Sequence, residues 1–216
     1  MIQRILIFLV LTTAAASAAA SEDRVDIAYR EGDARPLNTA RIAPPAVIEK
    51  YDYYEIKGDC EKDMHSELCK NGCTWNDGKK FDSLTTWDVK WDYGYDRGAG
   101  ACSVEAFRVT VDINYRFPIW PQTPGASREL VEKWGLYMGN LVTHEKGHRD
   151  LVVRAAEGLS RAVADLPPAP TCDELDRNVR ALGRVAMKKM EKDQKELLDN
   201  ETLLLTSFLE AIETFG

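Results

Sequence analysis

The chain has little positive charge to spare. Lys and Arg number 28 against 35 Asp and Glu, a net charge of −7. Such an acidic balance argues against nucleic acid and against anionic membrane surfaces as partners. Long apolar runs are scarce as well. Ile5 to Leu11 is one, at the N-terminus, and no later stretch is apolar enough to span a bilayer. There are no internal repeats, and no low-complexity tract beyond that first segment. Histidine is scarcer still, with 3 in 216 residues. Two of them, His144 and His148, stand one helical turn apart in the numbering.

What is present begins with an export pattern. Arg4 supplies a basic start, Ile5–Leu11 an apolar run, and Ala14 to Ala20 a small-residue tail containing Ala16-Ser17-Ala18. This is the layout of a cleaved secretory signal over residues 1–20, ending at Ala18 or Ala20. It predicts a periplasmic or secreted protein with no stable membrane insertion after cleavage. Losing the segment removes one positive charge, Arg4, and no acid. Residues 21–50 carry few large apolar side chains and are punctuated by Pro36, Pro44 and Pro45. They read as a linker or loosely packed N-terminal arm, with Val25, Ile27 and Tyr29 alternating as a short edge strand. The domain proper is expected over 51–216.

Five cysteines remain after the signal: Cys60, Cys69, Cys73, Cys102 and Cys172. Export makes disulfides the default, and the odd count leaves one thiol over. Cys102 and Cys172 flank the histidine region at a distance and are expected to pair. Cys60, Cys69 and Cys73 would then supply one local bridge and the spare thiol. A Cys/His metal cluster with His65 is the rival, but C-x8-C-x3-C is no recognised zinc knuckle.

Alternation predicts three strands, over 51–58, 84–93 and 102–117. In the second, Trp87, Val89, Trp91 and Tyr93 share a face opposite Asp88, Lys90 and Asp92. In the third, Phe107, Val109, Val111, Ile113, Tyr115 and Phe117 share one. A Gly-rich connection predicts that these two pair antiparallel. Between the first and second strands, Asp59 is placed to cap a short helix towards Lys70, with Met64 and Leu68 as its seam. Asn71-Gly72 would stop it in left-handed geometry. From Ser127 the period becomes helical, and Leu130, Trp134, Tyr137 and Leu141 lead through His144 and His148 to Leu151, Val152 and Ala155. Leu166-Pro167-Pro168 ends that helix. A second amphipathic helix is expected from Cys172 to Phe215, with a break near Asp199-Asn200. The fold class that follows is α+β: an antiparallel sheet packed against two long antiparallel helices, the first carrying the histidines.

Those histidines belong to Thr143-His144-Glu145-Lys146-Gly147-His148, an H-E-x-x-H pattern. Positions four apart share a helix face, so both imidazoles can reach one metal ion. Zinc suits such nitrogen ligands and keeps a position open for water in catalytic sites. It lowers that water's pKa towards neutrality, and Glu145 is placed to take the proton. The expected site is thus His144 and His148 as metal ligands, Glu145 as general base, and Zn2+ as cofactor, acting on a peptide or protein substrate.

The order of landmarks resembles the domain-of-unknown-function 922 family, predicted secreted zinc-dependent proteases from bacteria. The residues that carry it are Tyr53-Tyr54-Glu55-Ile56-Lys57-Gly58, Thr86-Trp87-Asp88-Val89-Lys90-Trp91, Cys102, Arg116-Phe117-Pro118-Ile119-Trp120, Trp134, His144-Glu145-Lys146-Gly147-His148 and Thr171-Cys172. The resemblance implies zinc on His144 and His148 with Glu145 as base. One departure matters. The family pattern closes with Y-D-x-x-T-x-H-G, and here the stretch is Leu198-Asp199-Asn200-Glu201-Thr202-Leu203-Leu204-Leu205. Asp199 and Thr202 match, but Leu204 stands where the pattern has His. A carboxylate on the returning helix, from Glu196, Asp199 or Glu201, could replace it, whereas Glu157 points away from the histidines on a straight helix and His65 reads as solvated. Two functions follow: an exported zinc-dependent peptidase, or an envelope relative that binds metal or a partner without catalysis.

Overall fold

The computed structural model describes residues 41–74, 78–98, 100–122 and 124–214, the side chains of 41 and 199–214 excepted. The expected leader, the strand at 25–29 and residues 21–40 of the arm lie outside these. The elements are β1 (Arg41–Ile42), β2 (Ala46–Glu55), α1 (Glu61–Asn71), β3 (Cys73–Thr74), β4 (Lys80–Phe81), β5 (Leu84–Gly98), β6 (Ala101–Ile119), α2 (Arg128–Ala164) and α3 (Cys172–Thr214). The α+β class is as expected.

β6 is the spine of the sheet. Its alternate residues from Phe107 to Phe117 are all 3% exposed or less, because one face is pressed against the helices. β5 pairs with it antiparallel, and the register closes at Gly98↔Ala101. Correction comes on the other side of β6. β1 and β2 pair with it parallel, with Ala46↔Thr110 through Glu55↔Ile119 in register, so the sheet is mixed rather than antiparallel. Alternation in a sequence reports which residues share a face and is blind to strand direction. The parallel pair is possible because α1, β3, β4 and β5 lie between its members and supply the crossover. The first strand also runs over 46–55 rather than 51–58, which draws residues assigned to the arm into the sheet. Pro44 and Pro45 stand just before the strand, where no ladder hydrogen bond is lost.

α2 starts where Ser127 accepts a hydrogen bond from the Leu130 amide at 3.1 Å, a cap worth about 1 kcal/mol. α3 continues through 199–200 without the expected break. Both pack on β6 and on each other. Gln194 meets His148 and Leu197 meets Gly147, so the two helices run antiparallel. Gly183 explains how close α3 comes to β5: a Cβ there would lie 2.6 Å from the Trp91 ring.

A disulfide joins Cys102 at the start of β6 to Cys172 at the start of α3, across 70 residues. The expected local bridge is absent. Cys60 and Cys69 are exposed free thiols, and Cys73 is a buried one. Nine residues of helix hold Cys60 and Cys69 about 13 Å apart, beyond disulfide reach. Cys73 instead faces a second core of Tyr54, Ile56, Met64, Leu68, Trp120 and Leu130. Two further details of α1 differ. Cys60 occupies the cap position in place of Asp59 and makes no side-chain cap bond. Gly72 has φ −55, so it is not left-handed; it is needed because a Cβ would meet the Leu68 and Phe81 carbonyl oxygens at 2.7 Å.

Candidate metal centre

α2 brings the two histidines together. The Nε2 atoms of His144 and His148 face each other at 2.9 Å, on rings 82° apart. His148 is 6% exposed, while His144 is half-buried. Gln194 on α3 fixes the tautomer. Its Nε2 donates to the His148 carbonyl at 2.9 Å, so its Oε1 is the atom that faces the His148 Nδ1. Nδ1 must then carry the proton, which leaves Nε2 with its lone pair towards His144. This is the arrangement that metal-binding histidines need from the groups behind them. His144 and His148 would hold a zinc ion through these two nitrogens. Trp87 on β5 lies beside the His148 ring, its plane inclined by 18°.

Glu145 points to β5. It is 4% exposed, and its carboxylate accepts from Ser83 Oγ at 2.5 Å and from Thr85 Oγ1. Two tyrosines hold the approach to β5. Tyr137 donates to the Asp82 carboxylate at 2.7 Å, and Tyr54 to the Asp82 carbonyl at 2.6 Å. Burial, then the charge of Asp82, pushes both phenol pKa values far above the ordinary tyrosine range.

Among the described residues, no His, Cys, Asp or Glu joins the histidine pair to make a group of three able to hold a metal. Glu157 is exposed and pairs with Arg161 at 3.8 Å. Glu196 is exposed beside Lys192. His65 is exposed on α1, in contact with Cys69 Sγ at 3.6 Å. The side chains of Asp199, Glu201 and Leu204 lie outside the described residues. Among the described residues no helix is long and apolar enough to cross a membrane.

Sequence reasoning missed Ser83, Thr85 and Gln194. Two of them left a signal. Thr85 is in phase with Trp87, Val89 and Trp91, and Gln194 follows Met190 in the stripe of Val179 and Met187. A polar residue inside an apolar stripe asks for a partner.

The fold and the site define an α+β domain with an H-E-x-x-H helix laid against its sheet. Residues 51–202 match the family described as bacterial protein of unknown function (DUF922), and the chain belongs to that family. No curated protein and no solved structure matches the chain.

Proposed function

We propose that the protein is an exported zinc-dependent peptidase. The observation that carries this reading is the convergence of the His144 and His148 Nε2 atoms at 2.9 Å, with Gln194 fixing the tautomer of one. His144 and His148 would hold the ion, and Glu145 would receive the proton of the attacking water. A bound zinc supplies a Lewis acid for the carbonyl and a water acidic enough to attack at neutral pH. The protein's own part is to orient the imidazoles, exclude bulk water behind His148 with Trp87, and hold the base. The N-terminal Arg4, Ile5–Leu11 and Ala14–Ala20 pattern supports a periplasmic or secreted location.

Glu145→Gln tests the mechanism. It should abolish cleavage of a peptide library while bound zinc stays at one per chain. Equal cleavage by that variant overturns the role of Glu145. A second reading rests on Leu204 and on the lack of a third donor among the described residues. In it, the domain binds metal, or a partner, without turnover. Stoichiometric zinc with no cleavage of peptides or cell-wall fragments favours that reading, and no zinc at all removes both metal claims.

A further inference from the structure

Glu145 is buried without a cation. Its carboxylate partners are the two hydroxyls of Ser83 and Thr85, and no Lys, Arg or His pairs with it among the described residues. Burying a carboxylate in a helix stripe of Leu141, His148 and Val152 costs stability that a hydrocarbon side chain would not. Each hydroxyl has a single proton, and both protons go to the carboxylate, one to each oxygen. Each oxygen therefore keeps acceptor capacity on its remaining side.

The segment that supplies the hydroxyls, the end of the β4–β5 turn and the start of β5, is itself held by α2. Asp82 precedes Ser83 and takes the Tyr137 hydroxyl, and Tyr137 stands two helical turns before Glu145. α2 thus grips residues 82–85 at two points, through Tyr137 and through Glu145. Tyr54 adds a third hold from β2. Position 85 could be apolar and continue the face of Trp87 and Val89. A threonine there, with a serine two residues earlier, gives the carboxylate one defined direction.

We propose that Ser83 and Thr85 are positioning residues that aim the Glu145 carboxylate, an inference that deepens the peptidase reading and rests on it for its kinetic arm. The test uses the full chain loaded with zinc. Ser83→Ala and Thr85→Val remove one hydroxyl each, and Ser83→Thr and Thr85→Ser retain it. The expected result is a fall in kcat of about 10–100-fold for the hydroxyl-less variants, with KM and bound zinc unchanged. The hydroxyl-retaining variants should recover most of kcat. Wild-type kcat in Thr85→Val and Ser83→Ala overturns the proposal, as does failure of both conservative variants to recover. A crystal structure of the Ser83→Ala/Thr85→Val protein gives a readout apart from activity. A displaced Glu145 carboxylate supports the proposal, and an unmoved one overturns it. If the wild type cleaves nothing, the peptidase reading fails on its own, and the crystallographic arm still decides the cradle.

Discussion

Gln194 holds His148 by both its side chain and its main chain: Oε1 accepts from the Nδ1–H, and Nε2 donates to the carbonyl at 2.9 Å. The helix that carries the imidazole and the helix that orients it are different elements. Gln194→Ala should lower zinc affinity by about 10–100-fold, measured by competition with a chromophoric chelator. Gln194→Glu keeps the acceptor for Nδ1–H but places an oxygen against the carbonyl, so it should recover only part of that loss. Unchanged affinity in Gln194→Ala would show that the His148 tautomer is set by something else.

The disulfide is the second test. Cys102–Cys172 closes a segment of 70 residues. Chain-entropy arguments put its contribution at about 4 kcal/mol. Cys102→Ser with Cys172→Ser should therefore lower Tm by roughly 10 °C in a scanning calorimeter. The exposed thiols of Cys60 and Cys69 should react with a thiol reagent in the native state, and Cys73 only after unfolding.

Tyr115 offers a test of opposite sign. It is 1% exposed, stacked between Tyr51 and Phe117, and its hydroxyl has no hydrogen-bond partner among the described residues. Tyr115→Phe removes an unsatisfied polar atom and keeps the rings. Stability should stay level or rise by up to about 1 kcal/mol in urea denaturation. A clear loss would reveal a water bound to that oxygen.

Asp176 sets an acid dependence. Burial pushes its carboxyl pKa up, but hydrogen bonds from Tyr93, Arg180 and Tyr95 outweigh this and leave it below the usual value. A carboxyl depressed in the folded state stabilises fully above its unfolded pKa of about 3.9, and the stability is lost as pH falls through the folded value. Asp176→Asn should therefore cost about 1–2 kcal/mol at neutral pH and progressively less below pH ~4. A constant difference from pH 7 to pH 2 would contradict the assignment.

How much of this was legible beforehand depends on the kind of information. Period-2 alternation from Phe107 to Phe117 and the three-and-four spacing from Leu130 to Ala155 report burial directly, so β6 and α2 emerged close to their true bounds. The pairing of Cys102 with Cys172 emerged too. Direction did not, because Tyr51 and Tyr53 face the same way whether β2 runs with β6 or against it. In the site, His144, Glu145 and His148 were visible as a local pattern. Ser83, Thr85 and Gln194 were not, since they meet that pattern only across 46 to 62 residues of chain. The cap of α1 failed for a smaller reason: Asp59 is a good capping residue one position too early.

Gly183 has a role at a distance. With no side chain between the helix backbone and the Trp91 indole, α3 rests on β5 at that point. Gln194 stands eleven residues farther on, about 16 Å along the helix axis. Both positions belong to one helix, so a tilt of about 5° at the glycine would move a point ~16 Å farther along by roughly 1.4 Å, enough to undo a hydrogen bond. Gly183→Ala, which sets a methyl group against the Trp91 ring, is therefore expected to disturb the hydrogen bonds between Gln194 and His148.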